Sequence, residues 1–523
     1  MVLVRFFRTF WIPLALIAAA AAIPWTSGDP RTRFLGLNTL MLSGAVCAIS
    51  VAVGAPMAFL LVRTDLAGRR TATGLLALLL FVPLYLQAAA WQAGFAVQGW
   101  FTLLSGAPPL VDSWLGAIWI DVSAAIPWVV LIVGLGLWFV EPELEEEALL
   151  NASAVRVFRS VTCRRAWASA GAAALWVALA TAGDMTITNL FQIRTYAEET
   201  YNQIQLGDNP TDFSWTSLSG ILVIAWLTLA GMIVALRLAP REHEASQRRP
   251  WQFRLGRWRG PLGFLVWGVV LFLVGIPLGS LIYKGGLSHT RTADGWLHAW
   301  SLQKCIDVVL ASPRRFRSEF GWSILIGSLA AAGAVLVALP LAWSARRGGV
   351  KAAPACIVTA VCLAIPGPMV GLLLIKFFNQ GDSTILRFLY DQSIAAPCAA
   401  QLLRTLPLAI LVLWHSLASV PSDLLDMAAS EGAGRFTRFR RIAVASRRWA
   451  LAAAWLVALG VALGEISATI LVLAPGINTL AIEIFALIHY GVDDFVAGIS
   501  LALVAGLAAV GGAALWLVDR GRR

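Results

Sequence analysis

Stretches of about 20 apolar residues, each long enough to cross the hydrocarbon of a bilayer as a helix, recur through most of this chain. They lie near residues 7–25, 35–62, 71–95, 117–140, 167–189, 215–239, 262–284, 320–345, 353–376, 395–419, 449–473 and 493–517. The 523 residues therefore accommodate twelve spans with short connections and leave no room for a large soluble domain. Hydrophobic residues make up 59% and charged residues 13%, against about 45–50% and about 25% in an ordinary globular domain. That balance excludes both a soluble enzyme and a disordered chain. The expected fold class is all-α, a polytopic membrane protein.

The net charge of +11, from 40 Lys+Arg against 29 Asp+Glu, comes from basic residues beside the spans. It reads as an orientation signal and not as a nucleic-acid surface. Numbered from an inside start, one side receives Arg63, Arg69, Arg70, Arg156, Arg159, Arg164 and Arg165, and then the dense stretch from Arg237 to Arg259. The same side takes Arg346, Arg347, Lys351, the run from Arg435 to Arg448, and Arg520. Both termini are thus expected on the inside, in the cytoplasm. The loop from Arg291 to Arg317 is the exception, and its length suits an interfacial helix. Arg5 and Arg8 ahead of an apolar run look like a signal peptide, but the spans that follow favour a retained first helix. The six cysteines form no CxxC pair, so neither a disulfide frame nor a metal site is expected.

The chain repeats itself. Residues 151–161 align with 432–442 at an offset of 281, and the same offset without a gap sets Gly183-Asp184-Met-Thr186 against Gly464-Glu465-Ile-Ser467. Six spans per half, an even number, give both copies the same orientation, so two parallel six-helix repeats are expected with a pathway where they meet. Their boundaries are 1–240 and 262–523, joined by an Arg-rich cytoplasmic linker, 241–261.

Each copy carries a polar loop between its fourth and fifth spans, about 141–166 and 420–448. Both open with proline and acids, good chemistry for a helix start, and then turn at Asn151 or Gly432 into a second short helix bearing arginines and an aromatic. Asparagine tolerates the left-handed backbone a turn needs.

These loops resemble the Glu-Ala-Ala loop of binding-protein-dependent ABC importer permeases, where that triplet precedes a glycine and an Ile-x-Leu-Pro tail. In the second copy Asp426, Ala428, Gly432, Ala433, Ile442 and Val444 fill the pattern, with Ala445 in place of proline. The first copy departs further. Glu145, Glu147, Ala148, Asn151, Ala152 and Ser153 stand one residue short, and Arg164 takes the proline position. The phrase Gly464-Glu-Ile-Ser-Ala-Thr469 before Pro475-Gly476, together with Phe191-Gln-Ile-Arg-Thr195 and Glu198-Glu199, resembles the fused iron(III) branch. Related fused permeases serve thiamine and other small solutes.

The resemblance implies a transport subunit and not an enzyme, without catalytic or metal-binding residues or a cofactor of its own. It implies two copies of a separate ATPase that binds ATP and Mg, and an extracytoplasmic solute-binding protein. Each loop would sit in an ATPase groove with Phe158 or Phe439 as the aromatic anchor, the two being equivalent at the same offset. No GxxxxGK[ST] phosphate loop occurs in the chain.

Asp184 and Glu465 occupy matched positions in the fifth spans, where a carboxylate at membrane depth faces either a pathway or a helix partner. Arg404, just before Pro407, is a candidate partner for one of them. A cation route would let Glu465→Asp keep far more uptake than Glu465→Gln. The rival reading is a major-facilitator carrier, also built of twelve spans, whose Asp-Arg-x-Gly-Arg-Arg motif is approached by Asp65-Leu-Ala-Gly68-Arg69-Arg70.

Overall fold

The computed structural model describes residues 30–205, 251–292, 295–381 and 383–522. The expected spans at 7–25 and 215–239 lie outside these residues. Among the described residues seven helices are long and apolar enough to cross a membrane, or ten if each of three bent helix pairs is one span. The protein is an all-α polytopic membrane protein. Packing divides it into two compact units.

One unit comprises the described residues up to Phe316 and the segment Ile484–Val504. Its helices are α1 (Pro30–Arg63), α2 (Arg69–Leu79), α3 (Leu84–Phe95), α4 (Trp100–Ser105) and α5 (Ser113–Trp138). They are followed by α6 (Pro142–Leu149), α7 (Ala154–Val157), α8 (Cys163–Gly183), α9 (Thr186–Leu190) and α10 (Tyr196–Gln205). Helices α11 (Arg259–Val270) and α12 (Ile276–Gly286) then form one span through a π-helical turn, Leu271–Gly275. Helices α1, α5 and α8 pack mutually. Beside them the buried Trp91 ring stacks within 5.3 Å of Trp119 and 5.2 Å of Phe272, joining α3, α5 and the α11–α12 span. The first span of the expected second repeat thus packs with first-repeat helices. A two-stranded hairpin, β1 (Leu287–Thr292) and β2 (Gly295–Trp300), pairs Leu287 with Trp300 and leads into α13 (Leu302–Arg315). A hairpin and a helix therefore occupy the loop whose length suited an interfacial helix.

The second unit comprises Arg317–Glu483 and Ala505 onward. It contains α14 (Arg317–Ala345), α15 (Ala353–Ala364), α16 (Gly367–Phe378), α17 (Thr384–Asp391), α18 (Ala395–Ala418), α19 (Ser422–Ser430), α20 (Arg435–Thr437) and α21 (Arg448–Leu463). Helices α22 (Leu480–Ile488) and α23 (Asp494–Arg522) each contribute to both units. Here α14, α18 and α21 repeat the mutual packing of α1, α5 and α8. Small buried residues such as Ala331 and Ala458 let these helices approach closely, as association in lipid requires.

Two expected spans are not straight. The stretches at 71–95 and 353–376 each bend by 104°, between α2 and α3 and between α15 and α16. Both break at a proline in extended geometry, Pro83 at ψ 156° and Pro366 at ψ 148°. Proline lacks the N–H an inner helical turn needs and pushes the residue before it out of the α region. The carbonyl before each proline takes a side chain instead. Gln87 Nε2 donates to Val82 at 3.0 Å, and Arg404 Nη1 donates to Ile365 at 3.2 Å. Pro127 and Pro407, by contrast, stay inside continuous helices.

Candidate functional site

The two polar loops share a plan. In the second, α19 ends where Ala433 N–H donates to the Ala428 carbonyl at 2.9 Å and Gly432 takes φ +81°, a conformation costly for any side chain. Helix α20 follows and widens into a π-helical turn, Arg438–Val444. In the first loop, α6 leads to a turn, α7 and a matching π-helical turn, Phe158–Thr162. Its reversal is made differently from the expectation. The only non-glycine residues with positive φ among those described are Ser113 and Gln192, so Asn151 is not left-handed. Three-residue hydrogen bonds, Leu150 to Glu147 and Asn151 to Ala148, both 3.2 Å, tighten the helix end instead.

The expected anchors turn inward. Phe158 packs 4.3 Å from the Phe59 ring, and Phe439 packs 5.2 Å from Trp343, so each ring fastens its loop to its own chain. Leu150 and Met427 point outward, and one further outward apolar pair sits three residues before the rings, at the same offset of 281. Val155 is 70% exposed and Phe436 is 71% exposed. Asn151, Ser153, Arg156 and Arg159 surround Val155, and Asp426, Gly432 and Arg435 accompany Phe436 on the exposed face, with Glu147 exposed and Ala148, Ala152, Ala428 and Ala433 half-buried. A shallow hollow of about 500 Å³ lined by Ser153, Val155, Arg156, Arg159 and Ser160 opens on the first loop.

Glu145 is the exception among the loop residues, because it is wholly buried. Its carboxylate pairs with the equally buried Arg63 and accepts from Thr162 Oγ1 at 2.5 Å, while Arg63 Nη1 donates to the Leu137 carbonyl at 2.8 Å. It cannot meet a partner protein without breaking that pair.

Asp184 and Glu465 both stand where a fifth span stops. Asp184 follows α8 and accepts from Thr186 N at 2.8 Å, Thr186 Oγ1 at 2.9 Å and Ile187 N at 3.3 Å, starting α9. Glu465 follows α21 and accepts from Ala468 N at 2.8 Å, from Thr469 N at 3.0 Å and from the Thr469 hydroxyl. The shorter acid reaches two and three residues ahead, and the longer one three and four. Arg404 reaches the Ile365 carbonyl and forms no ion pair with Glu465. In each unit the segment after the proline break packs on the segment after the acid, α3 on α9 and α16 on Thr469–Leu471. The second contact is so close that a Cβ at Gly367 would fall 2.2 Å from that of Ser467.

This geometry gives a prediction opposite to the cation-route expectation. Aspartate at 465 is one methylene too short to hold both N–H groups, and glutamine replaces one accepting oxygen with a donor. Glu465→Asp and Glu465→Gln should therefore both lower thermal stability, by about 1–3 kcal/mol, and should lower uptake alike. Uptake retained by aspartate alone would favour the charge-based role.

The near-match to the carrier motif has a structural use as well. Asp65 Oδ1 accepts from Leu255 N at 3.0 Å, and Trp267 Nε1 donates to the Ala67 carbonyl at 3.3 Å. That backbone donor, assisted by Arg259 and Arg254, holds the Asp65 carboxyl below the ordinary carboxylate range. The contact persists at neutral pH and is lost only as pH falls through that lowered value.

No protein-family model matches the chain. It is 24% identical to the Fe(3+)-transport system permease protein FbpB 2 of Haemophilus influenzae over 468 residues, covering 87% of this chain and 84% of that one. By sequence the chain is similar to transport-system permease proteins. A shorter stretch of 184 residues, 35% of this chain, is 27% identical to a Salmonella paratyphi A protein named as a 2-aminoethylphosphonate transport system permease protein, PhnV, and covers 68% of it. The features that hydropathy did not reveal in this chain are the two proline breaks, the buried Arg63–Glu145 pair and the outward Val155 and Phe436.

Proposed function

We propose that this chain is the transmembrane subunit of an ATP-driven importer, with twelve spans in two parallel halves and both termini on the cytoplasmic side of the inner membrane. A separate ATPase, in two copies, binds ATP and Mg. Its closure pushes on the loops around Val155 and Phe436, and an extracytoplasmic binding protein delivers the solute. The observation that carries this reading is the duplicated loop, with an exposed apolar residue at the same offset in both copies on a short helix ending in a π-helical turn. Such side chains on a rigid turn suit a groove in a partner, where a few buried apolar anchors supply most of the affinity. The solute favoured is iron(III), because the relative that matches most of the chain is a permease for it.

Movement of the loops reaches the pathway through α8 and α21, each of which ends at an acid-held break against a proline-broken span. Asp184, Glu465 and Arg404 act in this scheme by fixing the shape of those breaks. The breaks held in this shape pass a movement of the loops on to the pathway.

Purification from the native membrane in mild detergent tests the proposal. An ATPase subunit is expected to copurify with the wild-type chain and to be lost from the Phe436→Asp variant. A chain that purifies alone and transports alone would overturn it.

A further inference from the structure

We infer that the two loops are mechanically unequal: Arg63 and the segment 251–255 clamp the first as a rigid extension of its span, whereas the second is hinged and makes the larger movement. This rests on the coupling role proposed above. The clamp begins with the Arg63 guanidinium, which joins three helices at once. It belongs to the end of α1, donates to the Leu137 carbonyl near the end of α5, and pairs with Glu145 on α6. Through Glu145 the link continues to Thr162 in the π-helical turn.

The segment 251–255 closes over this junction. Phe253 N–H donates to the Arg63 carbonyl at 2.7 Å, and Phe253 bridges to Thr64 in parallel fashion. Its ring lies 5.8 Å from Phe59 and 6.1 Å from Phe158, so three rings from three segments meet at the base of the loop. Leu255 N–H on Asp65 secures the far end. Beyond the turn, the helical path runs without a break from Ala154 to Gly183.

The second loop has the same parts with the restraints loosened. Asp426, at the position of Glu145, is exposed. Arg346 feels its charge without reaching ion-pair distance and lies over the Trp343 ring at 4.3 Å instead. The path from the loop into the span bends by 75° between Val444 and Arg448. At that bend the hydrogen bond from Arg447 Nη2 to the Ser419 carbonyl, 2.7 Å, is on the surface. A buried charge pair resists displacement because parting it strands both charges, whereas an exposed contact exchanges readily with water.

Hydrogen exchange of the full chain in lipid nanodiscs tests the difference. After correction for intrinsic rates, amides in 146–162 should exchange at least about tenfold more slowly than those in 427–444. Glu145→Gln and Phe253→Ala should each speed exchange in 146–162 about fivefold or more and leave 427–444 unchanged. Phe253→Ala strands no charge and carries the test if Glu145→Gln does not accumulate. With the ATPase and a non-hydrolysable ATP analogue added, the change in protection should be larger in 427–450 than in 146–162. Equal exchange of the two loops in the wild type, or a first loop indifferent to both variants, would overturn the clamp. The measurements without ATPase stand whether or not a partner binds, so a failure of the coupling role is read separately, as absence of any change on adding it.

Discussion

Replacing Phe436 by alanine is expected to cut ATP-driven uptake about tenfold or more, the scale of a lost interface anchor, with little change in the amount of protein in the membrane. The ring is 71% exposed. Its loss therefore removes contact with a partner without opening a cavity. Phe439→Ala provides the contrast. That ring rests 5.2 Å from Trp343, so its removal should lower thermal stability first, and uptake only in proportion to the folded protein that remains. Val155→Ala should follow Phe436→Ala in kind but with a smaller effect, because it deletes less apolar surface. Uptake and abundance measured side by side for the three variants check this. An uptake loss confined to Phe439→Ala would return the anchor to the inward ring.

Removal of Arg63 should have the largest effect on folding. Arg63 and Glu145 are both without solvent exposure, and breaking a buried pair from one side costs about 3–5 kcal/mol because the remaining charge has no water to turn to. Arg63→Met leaves the Glu145 carboxylate with only the Thr162 hydroxyl and frees the Leu137 carbonyl. Such a loss is a large part of the roughly 5–15 kcal/mol that holds a typical protein folded. The double variant Arg63→Met/Glu145→Met should recover much of the loss, since apolar residues of similar volume can replace a buried pair at little cost. Thermal denaturation of the two single variants and the double variant reads the coupling directly. Additive losses would show that the two groups do not act as a pair.

The apolar spans among the described residues, the helical class and the duplicated turn loops were legible because each is written as a run of residue types or as a repeat at fixed distance. Direction within a span was not. Val82-Pro83 and Ile365-Pro366 lie inside apolar runs whose hydropathy is the same whether the helix continues or bends by 104°. The available signal was the restriction proline places on the residue before it. Glu145 sits among Glu143, Glu146 and Glu147 and so reads as part of a solvated acidic helix. Its partner lies 82 residues earlier, and only tertiary packing brings the two together. The choice between Phe436 and Phe439 as the outward residue depended on helix phase, which the π-helical turn starting at Arg438 shifts from the α-helical spacing. The matched acids were legible as a pair, but their role as caps of the next short helix depended on where α8 and α21 stop.

Transport by proteoliposomes containing this chain, with and without the ATPase subunit and with binding protein and iron(III) supplied outside, tests the central claim most directly. The account predicts uptake only when the ATPase is present with ATP inside, and loss of that uptake in Phe436→Ala. Uptake by the chain alone under an imposed proton or sodium gradient, indifferent to ATP, would contradict it.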